Sequence, residues 1–354
     1  MKKITMVLSG LFLATSLWAQ TPAEKLIKRL KKIQKRGVMI GHQDDPVYGT
    51  TWKWDKQRSD VKELVGSYPA VMGFDLGEIE LENGKNLDGV TFDRMRSEIV
   101  DQYLRGGVVT LSWHPHNPVN GKTAWNTEGN AVRQVLRGGS EHRKFEGWLR
   151  LVANFINSLQ TPDGVKVPVI FRPWHEMSGG WFWWGNTHCT AEEYKSLFTF
   201  TYHKLSGEYK CDNIVWAYSP NAGYDDFMKY YPGDEYVDVL GVDVYEFDQD
   251  NAKYAAALKT SLDEIAVIAA QHNKIAALTE TGYQEVKDPN WFTQTFWPVL
   301  RDYKLSYVLF WRNAWDSVKE HYLPAKGEAA APDFVKFAKE KKTLFVNDIA
   351  KIKK

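Results

Sequence analysis

Two glutamates stand where a pair of carboxyl groups could do acid–base or nucleophilic chemistry. Glu176 closes the apolar run 167–176, in which Val167, Val169, Ile170 and Phe171 give way abruptly to Arg172, His175 and Glu176. Glu280 closes a second short apolar run, 275–280, immediately before Thr281 and Gly282. Runs of this length, apolar throughout, read as strands buried on both faces. A carboxylate at the C-terminal end of such a strand sits where α/β barrels place their catalytic groups. Cleavage of a glycosidic bond needs two carboxyl groups, one to donate a proton and one to act as nucleophile or base. The alternative use of each glutamate is an ion pair that stabilises the barrel rim.

The elements that must position these residues follow the pattern of an α/β protein, a (β/α)₈ TIM barrel. Eight β-type runs occur, at 38–42, 70–76, 108–114, 167–176, 213–219, 237–245, 275–280 and 307–311. Amphipathic stretches such as 145–159 and 251–271, with apolar residues three and four apart, separate them. Strand and helix alternating eight times predict a closed parallel barrel. Segments after the second, third and fourth runs are long, which predicts one domain over residues 20–354 with a cleft built from long loops on its C-terminal face. The loop at 115–140 offers Asn117, Asn120, Trp125 and Asn126 to a sugar.

Composition narrows the function. The chain has 354 residues and a formal net charge of +1, which argues against a nucleic-acid partner. Its 15 Trp and 17 Tyr suit stacking on sugar rings as well as core packing. Lys2 and Lys3 followed by an apolar stretch at 6–17 predict an export signal over residues 1–19, cut near Ala19. That stretch is too short to span a membrane, and no cysteine near the cut suggests a lipid anchor. The expectation is an exported monomer, periplasmic or secreted, without a membrane partner. The basic helix expected at 23–36, with Lys25, Lys28, Arg29, Lys31, Lys32, Lys35 and Arg36, reads as a solvated outer face. Cys189 and Cys211 flank a helix opened by the capping box Thr190–Glu193. About 18 helical residues hold its ends roughly 27 Å apart, beyond the ~7 Å that a disulfide spans, so both thiols are expected to be free.

Further motifs carry a resemblance. Arg172-Pro173-Trp174-His175-Glu176-Met177, then Gly179-Gly180-Trp181-Phe182-Trp183-Trp184-Gly185, Thr279-Glu280-Thr281-Gly282 and Phe310-Trp311-Arg312 resemble, in order, glycoside hydrolase family 26, chiefly β-mannanases. Ser178 departs from the Asn that the family often has there. The resemblance implies a retaining glycosidase acting on β-1,4-mannan, with Glu176 as acid/base, Glu280 as nucleophile and Tyr245 as a donor to Glu280. It also implies Trp311 under the sugar before the scissile bond, Arg312 on the next sugar, and Trp181 on the leaving-group side. Trp125 is a looser stacking candidate. His114 is expected to hydrogen-bond the sugar, and His175 to help place the carboxylates. Asp75 and Asp243, near strand ends, are either hydroxyl ligands or buried ion-pair partners. Of Phe182, Trp183 and Trp184, at least two should be packing residues, since adjacent side chains cannot all face one cleft. His114, His116 and His175 could suggest zinc, but nothing else stands at ligand spacing, and neither metal nor cofactor is expected. Mixed-linkage glucan or xylan is the alternative substrate, and a non-catalytic glycan-binding protein is the alternative class.

Overall fold

The computed structural model describes residues 20–224 and 226–352; the expected export signal lies outside them. Eight parallel strands close into a barrel: β1 (Val38–Gln43), β2 (Val71–Asp75), β3 (Val108–Trp113), β4 (Val169–Pro173), β5 (Ile214–Tyr218), β6 (Val239–Glu246), β7 (Ile275–Tyr283) and β8 (Tyr307–Phe310). Each pairs with its sequence neighbour, and β8 closes on β1 through Met39 opposite Tyr307 and Gly41 opposite Leu309. All eight predicted strands are present.

Alternation along the strands sorts their side chains. Val71, Val108, Ile170, Val239, Ala277 and Tyr307 point inward and pack together at the N-terminal end of the barrel. Met72, Val109, Phe171, Leu240, Leu278 and Val308 point outward into the layer beneath the helices. Continuing inward at every second residue brings Asp75, His114, Arg172, Asp243, Tyr245 and Trp311 to the C-terminal mouth.

The surrounding helices include α1 (Pro22–Ile33), α2 (Phe92–Arg105), α3 (His142–Asn157), α4 (Ala191–Tyr202), α5 (Asn251–Gln271) and α6 (Ala331–Ala338). The alternation expected from the sequence breaks after β5, where the described residues between 219 and 236 form turns rather than a helix. Tyr218, Phe227, Tyr230 and Tyr231 are buried there and fill the space. The capping box at Thr190 and Glu193 opens α4 as expected, and both cysteines are free.

α1 closes the floor of the barrel. Its capping box pairs Thr21 with Glu24, and Leu26, Leu30 and Ile33 lie one turn apart against the inward residues of the strands. Arg29 departs from the solvated face expected for it: it is buried. Its guanidinium donates to the carbonyls of Gly106, Gly107 (3.3 Å), Ile349 (3.2 Å) and Ile352 (3.3 Å). These are carbonyls at the end of α2 and in the C-terminal segment, which the buried guanidinium ties together. Arg29→Met should therefore lower the unfolding free energy by about 2–4 kcal/mol, measured by urea denaturation. A solvated position would change it by no more than ~0.5 kcal/mol.

Candidate active site

Strict alternation along β7 would send Glu280 outward with Leu278. The pairing shows why it does not. Val242 and Asp243, adjacent on β6, lie opposite Leu278 and Glu280, so Thr279 is an extra residue on β7. The β8 register slips at the same point. This β-bulge turns Glu280 into the barrel mouth, a common use of bulges beside sites.

Glu280 arrives next to Arg172. The guanidinium, buried in the barrel, donates from Nη2 to Glu280 Oε1 and from Nη1 to Asp243 Oδ2 (2.9 Å) and Ser219 Oγ (3.1 Å). The Tyr245 hydroxyl donates to Glu280 Oε2 at 2.7 Å. Burial and the Glu280 charge hold the Tyr245 phenol well above its usual range, so it stays a donor.

Glu176 is delivered differently. After β4 the backbone takes left-handed conformations at Trp174 (φ 56°) and Glu176 (φ 53°), costly for residues with a Cβ. The surroundings enforce them. Tyr194 donates to the Trp174 carbonyl at 2.9 Å, Trp184 Nε1 to that of His175 at 2.8 Å, and the Glu176 N–H to that of Ser219 at 2.8 Å. The Glu176 carboxyl, which accepts from Trp181 Nε1 at 2.8 Å, is pushed up to about 7 by burial and by the nearby Glu280. One oxygen from each of Glu176, Asp243 and Glu280 lies within 4.8 Å of the others.

The pair faces a cavity of about 770 Å³, lined also by Asp75, Asp88, His114, Trp125, Trp181, Phe247, Trp311 and Arg312. The structure thus brings Glu176, Glu280, His114, His175, Trp125, Trp181, Asp75, Asp243, Tyr245, Trp311 and Arg312 to one cavity, though not always in the expected role. Asp243 lies at the cavity wall as a buried ion-pair partner: Arg172 takes one oxygen and Thr279 Oγ1 the other (2.6 Å). His114 has both ring nitrogens engaged within the protein, Nδ1 with Asp75 and Nε2 with His175, leaving none for a sugar. His116 turns away to Glu80, so the three histidines do not converge. Trp183 and Trp184 are buried packing residues, whereas Trp181 and Trp125 are exposed, the latter stacked on His114. Asn117 and Asn126 brace the 115–140 loop from within, and the Asn120 amide is held by the Asn126 side chain.

Arg172, Phe247, Asp88 and Glu320 are among the site residues not picked out from the sequence. Arg172 stands two residues after the inward Ile170, so alternation could have found it. Phe247, exposed and stacked on Tyr245, shares that signal. Asp88 and Glu320 come from loops and meet on Arg312, each at 2.6 Å. Burial raises Asp88 to about 6 despite the arginine. No local pattern announces that convergence.

The model of glycosyl hydrolase family 26 matches residues 16–297. A mannan endo-1,4-beta-mannosidase of Bifidobacterium adolescentis is 31% identical over 93% of this chain and 35% of its own length. One of Bacillus subtilis strain 168 is 28% identical over 73% and 70%. The chain spans about a third of the Bifidobacterium relative. Among solved structures, a family 26 β-mannanase from Bacteroides ovatus superposes with a TM-score of 0.90 at 44% identity, over 94% of this chain and 98% of that one.

The electrostatics can be checked without a substrate. In a carbon-13 carboxyl titration, Glu176 should titrate near 7, and Glu280→Gln should move it downward by removing the negative neighbour. An unchanged midpoint would show that the two groups do not interact.

Proposed function

The chain belongs to glycosyl hydrolase family 26, and on that premise we propose that it is a retaining glycosidase that cleaves β-1,4-mannosidic bonds. The observation that carries the reading is the meeting of Glu176 and Glu280 on one cavity with oxygens within 4.8 Å. Retaining enzymes hold their carboxyl groups about 5–5.5 Å apart, whereas inverting ones need about 6.5–9.5 Å to admit a water.

Glu280 attacks the anomeric carbon as the bond to the leaving oxygen breaks, and Glu176 gives that oxygen its proton. The sugar is then esterified to Glu280. Water enters on the vacated side, gives a proton to the Glu176 carboxylate and attacks the same carbon, releasing Glu280 with the anomeric configuration kept. Arg172 and Tyr245 fix the nucleophile so that its free lone pairs aim at the carbon. Trp181 holds Glu176 and offers its exposed ring to the leaving sugar. We assign Trp311 to the sugar before the scissile bond and the Arg312–Asp88 pair to the next one. Trp125 gives a further stacking face. Residues 1–19 read as an export leader, which fits an enzyme meeting polysaccharide outside the cytoplasm.

The test is hydrolysis of soluble β-mannan, with mixed-linkage glucan and xylan in parallel, followed by NMR of the first anomer released. β-Product from mannan is expected; α-product would overturn retention, and activity on glucan or xylan alone would overturn the substrate. Glu176→Ala and Glu280→Ala should each lower kcat by at least ~10³. Because Glu176 acts in its protonated form, kcat/KM should fall as pH rises through about 7.

A further inference from the structure

Behind the glutamates runs a second buried chain that two-carboxylate chemistry does not by itself require. Asp75 ends β2 and is buried. Its Oδ2 accepts from Ser112 Oγ at 2.5 Å and faces His114 Nδ1 at 2.6 Å. Its Oδ1 accepts from the N–H groups of Gly77 (2.6 Å) and His114 (3.2 Å). On the far side of the ring, His114 Nε2 meets His175 Nε2 at 3.0 Å. His175 is buried, its Nδ1 has no hydrogen-bond partner among the described residues, and its chain neighbour is Glu176.

Valence limits where the protons can be. Two imidazole nitrogens at 3.0 Å share one proton: none would set lone pair against lone pair, and two would collide. An ionised Asp75 requires a proton on His114 Nδ1. Either His114 is neutral and His175 donates to it, or His114 is the imidazolium and donates to His175. With His114 neutral, Asp75 would be a buried carboxylate among neutral donors only. With His114 charged, the two charges cancel at 2.6 Å.

Most of the other charged groups that face His114 favour the imidazolium. Glu280 from β7, Glu176 beyond β4 and Asp88 from the loop after β2 are acids, while Arg172 on β4 opposes them. We propose that Asp75, His114 and His175 form a proton-sharing relay in which Asp75 holds His114 as an imidazolium, a fixed positive charge beside Glu176 and Glu280. Asp75 is then a positioning residue that acts on the acid through His114, which rests on the reading of Glu176 as the proton donor. Burial works against charge on His114, and Asp75 more than offsets it, leaving its pKa raised. Burial, Arg172 and His114 hold His175 far below its ordinary value, so the second ring stays neutral. At Glu176, His114 draws downward against burial and Glu280, tempering the elevation that those two produce.

Asp75→Asn keeps the shape but removes the charge that holds the imidazolium. In that variant the alkaline limb of kcat/KM should move up by about 1 pH unit, because Glu176 loses a cationic neighbour. An unmoved limb in a folded, active variant overturns the relay and leaves the glycosidase reading standing. A measurement on the unaltered protein guards against a variant that fails to fold. With nitrogen-15 histidine, assigned through His114→Gln, His114 should show two protonated nitrogens at about pH 6 and His175 one. A bare Nε2 on His114 there overturns the relay whatever glycan is or is not cleaved.

Discussion

The guanidinium of Arg172 between Asp243 and Glu280 is the interaction on which the mouth of the barrel depends. Two buried carboxylates this close repel each other, and a cation between them offsets that repulsion. Arg172 reaches both because β4 carries it on the inward parity of Ile170, and β6 and β7 present the acids on the same level. Its planar fork makes separate bonds to each partner, which a lysine's single ammonium would not reproduce. With one Glu280 oxygen taken by Arg172 and the other by Tyr245, the carboxylate has a defined direction.

Glu176 has no such partner, and its position comes from strain resisted by packing. Left-handed backbone at Trp174 and again at Glu176 lifts the carboxyl off the line of β4. Trp174, Trp183 and Trp184 pack edge to face around the turn, at centroid distances of 5.2–5.5 Å. Their indole N–H groups are all spent on fixed acceptors: Thr201, Pro115 and His175. A rigid aromatic bed of this kind holds an acid in an apolar setting, which is also what raises its pKa. The two glutamates thus differ in environment as the two steps of the proposed cleavage demand, one held by donors and the other desolvated.

Stability and chemistry occupy opposite ends of the barrel. The floor is apolar and sealed by α1, and the buried cation Arg29 donates there to carbonyls rather than to acids. The mouth concentrates buried titratable groups: Asp75, Asp88, Asp243 and Glu280 line it, and Arg172 bonds to two of them. Such a cluster is costly in a folded protein, and the sealed floor and tightly packed helix layer are what allow it to persist.

Much of this was legible in the linear chain. Apolar runs and their spacing announced eight strands, and period-two alternation marks Asp75, His114, Arg172, Asp243, Tyr245 and Trp311 as inward, because a pleated strand allows its side chains only two directions. The aromatic and charged motifs pointed to Glu176 and Glu280 as a pair. Three things were decided only in three dimensions. Alternation alone sends Glu280 outward, and the bulge at Thr279 that corrects it depends on how β7 fits between β6 and β8. The valences of His114 were filled by Asp75 at the end of β2 and by His175 in the turn after β4, so a residue that reads as a sugar ligand became part of a buried chain. Arg312 gathered Asp88 and Glu320 from loops far apart in sequence. Local sequence specifies direction and burial, whereas which groups satisfy one another's charges and hydrogen bonds depends on distances that exist only once the barrel has closed.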